Sequence, residues 1–195
     1  MDGDRLRRAI DAIDAANAAD PNRILVDGRE RPKELAHAEM VTAWVRRLRP
    51  EASEALLLAA RAHHLRRWTV PRSSYPDGRR GYLRWRRDLH ERHASETGDI
   101  LTDAGYDEAM ASRVGDIVRK RNLGSDPEVQ ALEDALCLVF LQTQFHDLAS
   151  RLDRSKTVEV VRKTLSKMSD EAKGHAAGVE LDASDAALLE EALAG

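Results

Sequence analysis

The chain has 195 residues, of which 42% are hydrophobic and 33% charged, so it is long enough for one domain with a core and too apolar to be wholly disordered. Its 34 acidic and 31 basic residues nearly balance, to a net charge of −3, which by itself indicates no charged partner. The single cysteine, Cys137, excludes an intramolecular disulfide and suits a reducing compartment.

The N-terminus and the apolar runs give no sign of export or of a membrane anchor. Met1 is followed by Asp-Gly-Asp, whereas a signal peptide has a basic and then an apolar run. The longest apolar run, over residues 135–141, is far shorter than the roughly 20 residues that cross a bilayer. We therefore expect a cytoplasmic protein that does not bind membranes. Nothing in the sequence indicates an oligomeric state.

Apolar residues recur at helical spacing through most of the chain, and prolines separate the segments. Leu6, Ile10 and Ile13 mark a first helix that ends before Pro21, and residues 22–31 are predicted to form a loop. The later helices are predicted over residues 32–50, 53–68, 82–103, 107–124, 127–149 and 158–168 and from residue 183, with an irregular connector over residues 70–81.

Few residues of the chain favour strands. Aromatic residues make up only 4% of it, and alanine, leucine, arginine and glutamate, which favour helices, dominate the composition. The sequence thus predicts an all-α protein, a compact single-domain helical bundle over residues 1–195. We expect C-terminal helices over residues 155–195 and no sheet of three or more strands.

Several histidines lie on helix faces that should point inward. With Leu89 at zero on a helical wheel, the apolar face of its helix centres at about 50° and His93 lies near 40°. His37 shares an apolar stripe with Val41 on the helix predicted over residues 32–50, and His64 falls on the inward face of the helix predicted over residues 53–68. Such a histidine is either a hydrogen-bonded core residue or a metal ligand, and both interpretations stay open at this point.

Two acidic residues stand at the start of the apolar stretch of the helix predicted over residues 127–149. We expect this helix, the most apolar one, to be central. Glu133 and Asp134 directly precede the apolar run over residues 135–141. A buried, ionised carboxylate needs a partner, and a buried arginine is one alternative for Glu133. Histidines and a carboxylate that converge from different helices are a common way to hold a divalent ion. The pattern predicts such an ion, with Mn, Fe, Zn or Ni as candidates.

The order of these residues resembles the HD-domain metal phosphohydrolases. Their pattern is a histidine, then a His-Asp pair on the next helix, then a distant aspartate. His37, the doublet His63–His64 and Asp134 follow that order, within a core over residues 30–150. The resemblance implies that His37, His63 and Asp134 are metal ligands. His64 stands where the paired aspartate should be, and it could ligate together with His93.

Longer motifs resemble an uncharacterised family known only as a domain of unknown function (4202). They are Leu-Ala-Ala-Arg-Ala-His-His-Leu-Arg-Arg-Trp over residues 58–68, Pro-Arg-Ser-Ser-Tyr-Pro over 71–76, Gly-Tyr-Leu-Arg-Trp-Arg over 81–86 and Leu-Glu-Asp-Ala-Leu-Cys-Leu-Val-Phe-Leu over 132–141. This family implies no activity. Its pattern has Gln-His at residues 63–64 and commonly Tyr-Ala-Glu at residues 37–39. These differences favour His64, His93, Glu39, Glu133 and Asp134 over His37 and His63 as site residues.

A basic segment directly follows the doublet. Ten arginines lie between Arg61 and Arg92, interleaved with half of the aromatic residues of the chain. Arginine binds phosphate through two parallel hydrogen bonds, and aromatic rings stack on bases. A solvated helix face is the alternative interpretation. The candidate substrate-binding residues are Arg66, Arg67, Arg72, Tyr75, Arg79, Trp85 and Arg86.

These patterns predict a metal-dependent phosphohydrolase that acts on a nucleotide or another small phosphoester. Glu133 or Glu39 would act as general base, and the arginines would hold the phosphate. The alternative is a non-catalytic helical module that binds RNA or a nucleotide through residues 61–92. The spacing Glu34-x-x-His37 matches only one half of a di-iron motif, because no other histidine follows a glutamate by three residues.

Overall fold

Helices account for most of the structure, a computed structural model that describes residues 2–26 and 28–194. The strands β1 (Arg23–Val26) and β2 (Arg29–Pro32) follow the first helix. The all-α prediction is confirmed, since the described residues form no sheet of more than two strands. The α-helices are α1 (Asp2–Ala18), α2 (Lys33–Leu48), α3 (Glu54–Ala62), α4 (Gly78–Asp103), α5 (Glu108–Val118), α6 (Pro127–Thr143), α7 (Phe145–Ala149), α8 (Arg154–Leu165), α9 (Asp170–Ala176) and α10 (Ala183–Leu193).

The two strands form an antiparallel hairpin where the sequence predicted a loop. Arg23 pairs with Pro32, and Val26 pairs with Arg29 across a two-residue connection. Gly28 has a φ of 74°, which glycine adopts without strain. The dipeptide Asp-Gly is itself a strong hairpin signal. All eight strand residues are exposed or half-exposed, and their sequence shows no clear apolar alternation, so periodicity did not reveal the strands.

Helix α6 lies at the centre of the hydrophobic core, as predicted. Leu132, Leu138 and Leu141 are at most 1% exposed, and α6 contacts α2, α3, α5 and α9. The same core includes Ile13 of α1 and Leu189 of α10. Because packing surrounds α6 on most sides, its buried polar residues, Glu133 and Asp134, must find their partners inside the protein.

Helix α3 ends earlier than predicted. Periodicity predicted a helix to residue 68, but α3 stops at Ala62 and the chain turns. Arg66 has a φ of 50°, in the left-handed region, and its amide donates to Oδ1 of Asn17 at the end of α1. A left-handed residue cannot continue a right-handed helix. His63 and His64 therefore lie at a helix end rather than within a helix.

Other helix boundaries also differ from the prediction: α4 begins at Gly78, inside the expected connector over residues 70–81, and α5 ends at Val118 rather than near residue 124. The helix expected over residues 127–149 divides into α6 and α7 at Gln144, whose φ of −130° is not helical. Helix α9 was not predicted, although Ser169 caps it by accepting a hydrogen bond from the amide of Ala172, the ordinary signature of a helix start.

None of the helices in residues 2–26 and 28–194 has both the length and the apolar character needed to cross a bilayer.

One histidine joins α7 to the start of α10. Nδ1 of His146 lies 3.0 Å from Oδ2 of Asp185 and 3.1 Å from Oδ2 of Asp182. Asp182 is also the N-cap of α10, accepting from the amide of Asp185. The hydrogen bond and charge of Asp185, aided by the charge of Asp182, raise the pKa of His146 above its usual value.

We expect the docking of α10 to weaken as pH rises. Because folding raises the pKa of His146, its contribution is complete below the unfolded pKa of about 6.5 and is lost as pH rises through the folded pKa. Amide hydrogen exchange of α10, corrected for the intrinsic pH effect, should show lower protection at about pH 8.5 than at about pH 6. In His146→Gln the protection of α10 should not depend on pH in this range; an unchanged pH dependence in that variant would contradict the assignment.

Candidate metal centre and basic cavity

Four histidines from three parts of the chain lie close together inside the protein. His37 lies on α2, His63 and His64 follow α3, and His93 lies on α4. The ring centroid of His64 is 4.2 Å from that of His63, 5.8 Å from that of His37 and 6.0 Å from that of His93. One ring nitrogen from each of His37, His63 and His64 lies within 4.8 Å of the other two. That spacing suits three ligands of one ion.

Backbone carbonyls orient two of the rings. Nδ1 of His63 lies 2.9 Å from the carbonyl oxygen of Ala60, and Nδ1 of His93 lies 2.8 Å from that of Leu65. A carbonyl only accepts, so each ring donates from Nδ1 and keeps its lone pair on Nε2. Metal-binding histidines are commonly oriented in this way.

Three ring nitrogens of this cluster are buried and lack a hydrogen-bond partner among the described residues. They are Nδ1 of His37, Nε2 of His63 and Nε2 of His93. The side-chain amide nitrogen of Gln144 donates to the other nitrogen of His37, Nε2, at 2.9 Å, so neutral His37 carries its proton on Nδ1 in this arrangement. Nδ1 offers a lone pair only when the Gln144 amide is turned so that its oxygen accepts from Nε2. A buried polar atom without a partner costs about 1–3 kcal/mol. Two of these three nitrogens belong to His37 and His63, which lie in the group of three histidines that could share one ion, and such unsatisfied buried atoms call for an explanation.

Glu34 supports the remaining ring. Its Oε2 lies 3.1 Å from Nδ1 of His64, in the arrangement of a carboxylate behind a metal-binding histidine. The amide of Glu34 donates to Oδ2 of Asp20 at 3.0 Å, which anchors the start of α2. Burial raises the pKa of Glu34, and the neighbouring His37 opposes that rise.

Burial keeps the histidines neutral. It lowers the pKa of His37, takes that of His93 to about 4, and takes those of His63 and His64 well below the usual value. Neutral imidazole is the form that binds metals, so the cluster needs no proton release to accept an ion near pH 7.

A cavity of about 250 Å³ opens beside the doublet. His63, His64 and His90 line it, together with four cationic side chains and one carboxylate. The cationic side chains are those of Arg67, Arg86, Lys120 and Lys167, and the carboxylate is that of Glu133. Such an excess of positive charge suits an anionic ligand. Burial lowers the pKa of His90 to about 4, so this histidine adds no charge at neutral pH.

Lys120 occupies a backbone position that usually belongs to glycine. It follows the end of α5 with a φ of 59°, and the amides of Lys120 and Arg121 donate to the carbonyls of Ile117 and Asp116 at 3.0 Å. This is a Schellman motif with lysine at the left-handed residue. A non-glycine residue there costs roughly 1 kcal/mol. Strained residues of this kind cluster at functional sites.

Comparison with known proteins assigns the chain to a family. Residues 7–189 match the model of a family described as Domain of unknown function (DUF4202). The chain belongs to that family. A search of curated proteins and a search of solved structures found no match. The match covers almost the whole chain. The family description names no activity, and the match does not confirm an HD-like organisation.

Among the predicted metal ligands, the four histidines lie close together in the structure, whereas Asp134 lies elsewhere. Asp134 lies outside the histidine group found among the described residues. Its Oδ1 accepts from the amide of Ser169 at 2.8 Å and from Nε2 of Gln130 at 2.9 Å, and its Oδ2 accepts from the Ser169 hydroxyl at 2.6 Å. The structure therefore does not bring Asp134 together with His64 and His93, because the carboxylate of Asp134 anchors the start of α9.

The two predicted general bases are both ion-paired. Oε2 of Glu39 lies 2.6 Å from Nη1 of Arg31, and its Oε1 lies 3.5 Å from Nη2 of Arg61. Glu39 therefore links β2 to α2 and α3, outside the histidine group of the described residues. Glu133 does line the cavity, but it contacts Lys120 and lies 3.9 Å from Lys167.

Of the seven predicted substrate-binding residues, the cavity includes Arg67 and Arg86. Arg67 is held with its guanidinium 4.8 Å from the ring centre of Trp85. Trp85 is itself buried, and its Nε1 donates to the carbonyl of Val70 at 2.9 Å. Trp85 thus supports a cavity arginine, which is a different role from the predicted stacking on a ligand.

The other four hold the connector or face solvent. Arg72 donates to the carbonyls of Tyr75 and Pro76 at 2.9 and 2.8 Å, so its guanidinium is engaged inside the connector. The Tyr75 hydroxyl donates to Asp88 at 3.1 Å. Arg66 lies 3.4 Å from Glu96, and Arg79 is exposed.

Sequence reasoning missed the two lysines of the cavity. Lys120 and Lys167 lie in the turns that follow α5 and α8, and hydrophobic periodicity does not predict where a side chain outside a helix points. Glu34 was noticed only through its spacing to His37, and that spacing does predict that the two side chains share one face of α2.

We expect Asp134→Ala to destabilise the protein by about 1.5–3 kcal/mol, because the half-buried donors of Ser169 and Gln130 lose a charged acceptor. Its metal content should not change. Chemical denaturation and elemental analysis measure the two quantities. The matched control, Asp170→Ala, removes a fully exposed carboxylate from the same helix start and should change stability by less than about 0.5 kcal/mol. Loss of metal from Asp134→Ala at unchanged stability would restore Asp134 as a ligand.

Proposed function

We propose that this protein is a metal-dependent phosphohydrolase that acts on a small phosphate ester. One observation supports the proposal above the others: the histidine cluster borders, through His63 and His64, a cavity lined by four cationic side chains, and Nε2 of His63 is buried without a partner among the described residues. The histidines suit a metal ion and the cationic side chains suit a phosphate, and metal-assisted hydrolysis of phosphate esters uses both.

The donor set fits a divalent transition metal. His37, His63 and His64 would hold the ion, with His93 next to them. Imidazole nitrogens suit zinc, iron and nickel better than they suit magnesium or calcium, which prefer oxygen ligands. His37 and His63 also follow the order of the HD pattern, whereas His64 stands in place of its paired aspartate and Asp134 does not take its last position.

The cavity fits a compact anion better than a nucleic-acid strand. Its volume of about 250 Å³ lies below the range of about 300–1,000 Å³ typical of pockets for drug-sized ligands. Arg72, Tyr75 and Trp85, which an RNA-binding segment would present to bases, are engaged within the protein. These contacts favour the small-molecule reading over the RNA-binding alternative.

The residues of the cavity supply binding and charge stabilisation. A bound divalent ion would lower the pKa of a coordinated water and polarise the phosphoryl group. Arg67 and Arg86 would hold the equatorial oxygens and stabilise the charge that develops on them. The bond from phosphorus to the ester oxygen breaks as water adds, and the products are an alcohol and inorganic phosphate.

We expect His63→Ala and His64→Ala each to weaken metal binding at least about 100-fold, because a side chain that binds the ion directly contributes more than one that only orients such a ligand. Glu34→Gln should weaken it about 10–100-fold, the usual effect of removing a support. The measurement is competition with a chromogenic chelator for zinc, iron, nickel and manganese. His175→Gln changes a histidine outside the cluster and should bind metal normally. A wild-type protein that binds none of these ions would end the proposal.

We expect Arg86→Met to lower kcat/KM for phosphate esters by about 10–150-fold, since a lost charge-assisted contact costs about 1.5–3 kcal/mol. Phosphate release from a panel of nucleoside monophosphates and sugar phosphates, in protein loaded with each metal, provides the assay. The control is Arg87→Met, which removes the next arginine of α4, an exposed one that donates to Asp88 at 2.9 Å. Equal losses in the two variants would show that Arg86 acts only through general charge.

A further inference from the structure

The basic cavity contains a carboxylate that an anion site does not need. Glu133 lines the cavity and its side chain is only 5% exposed. Its Oε2 contacts Nζ of Lys120, and its Oε1 lies 3.9 Å from Nζ of Lys167. A bound anion would meet this negative charge at close range, which costs affinity unless a hydrogen bond joins the two.

The two lysines leave Glu133 able to contact a ligand. An ammonium group has three donors, so Lys120 and Lys167 can bind an anion while they stay paired with the carboxylate. The backbone strain at Lys120 indicates that its position matters, because glycine would end α5 at lower cost. The lysines and Glu133 thus form one wall that offers donors and an acceptor side by side.

A carboxylate of this kind distinguishes oxyanions by their protons. An ionised carboxylate only accepts hydrogen bonds. Hydrogenphosphate carries a proton that it can donate to Glu133, whereas sulfate has none at neutral pH and would present only acceptors. Sites built around a hydrogen bond reject analogues that lack the partner group, because a buried polar atom is then left unpaired.

We propose that Glu133 makes the cavity selective for oxyanions that carry a proton, such as hydrogenphosphate and protonated phosphate monoesters, and against sulfate. The inference rests on the assignment of this cavity to phosphate in the proposed function, and it does not depend on the metal. Lys120 and Lys167 attract every dianion, and Glu133 makes the cavity prefer the oxyanions that carry a proton.

The test is isothermal titration calorimetry of the full chain, freed of metal by chelator, with inorganic phosphate and with sulfate at neutral pH and equal ionic strength. The wild-type protein should bind phosphate at least about tenfold more tightly than sulfate. Glu133→Gln should bring the ratio close to one, because the amide can donate to sulfate. Glu128→Gln, on the same helix but paired with Arg113, should keep the wild-type ratio.

A second variant covers a failure of Glu133→Gln to fold. The double variant Lys120→Met/Glu133→Gln removes both members of the ion pair, and its ratio should also approach one. Equal binding of the two anions by the wild type, binding of neither, or an unchanged ratio in the variants would overturn the proposal. Metal titration of the same preparations separates this outcome from failure of the metal centre, which would leave the phosphate preference intact.

Discussion

The left-handed turn at Arg66 is the constraint on which the histidine cluster depends. If α3 continued past Ala62, the carbonyl of Leu65 would accept from the backbone amide four residues later. Instead it is free to accept from His93, which fixes that ring from a different helix. The amide of Arg66 compensates by donating to Asn17 of α1. A single break in one helix thus orients histidines contributed by two segments.

Burial then determines the chemistry of the cluster. Within the core the imidazoles lose their charge, because desolvation disfavours the protonated form more strongly than Glu34 can favour it. The same burial leaves three ring nitrogens without partners among the described residues, at a cost that the extensive apolar packing of α6 and its neighbours can offset. Neutral rings with free lone pairs and cationic side chains can share a small space without mutual repulsion.

The basic segment divides into structural and cavity-lining residues. Arg72 binds carbonyls of the connector, and Trp85 is buried under Arg67. The ring of Trp85 holds the cavity arginine Arg67, and the other cavity arginine, Arg86, lies over the ring of Tyr82. Arginine count alone could not separate the two groups, because the guanidinium serves equally well as a backbone cap and as an anion ligand. The cavity is completed by lysines from segments far away in sequence, Lys120 and Lys167.

The sequence by itself determined the helices, the central place of α6 and the inward direction of His37 and His93, because a period of 3.6 residues fixes which face of a helix is apolar. It could not determine which inward residues meet. Asp134 points into the core as its position on α6 predicts, yet it binds the start of α9, since the neighbours of a helix face depend on how helices pack. The end of α3 was likewise decided by tertiary structure, because the left-handed residue Arg66 donates a hydrogen bond to Asn17 of a distant helix. The turn at Lys120 is local, but its meeting with Glu133 depends on how α5 and α6 pack.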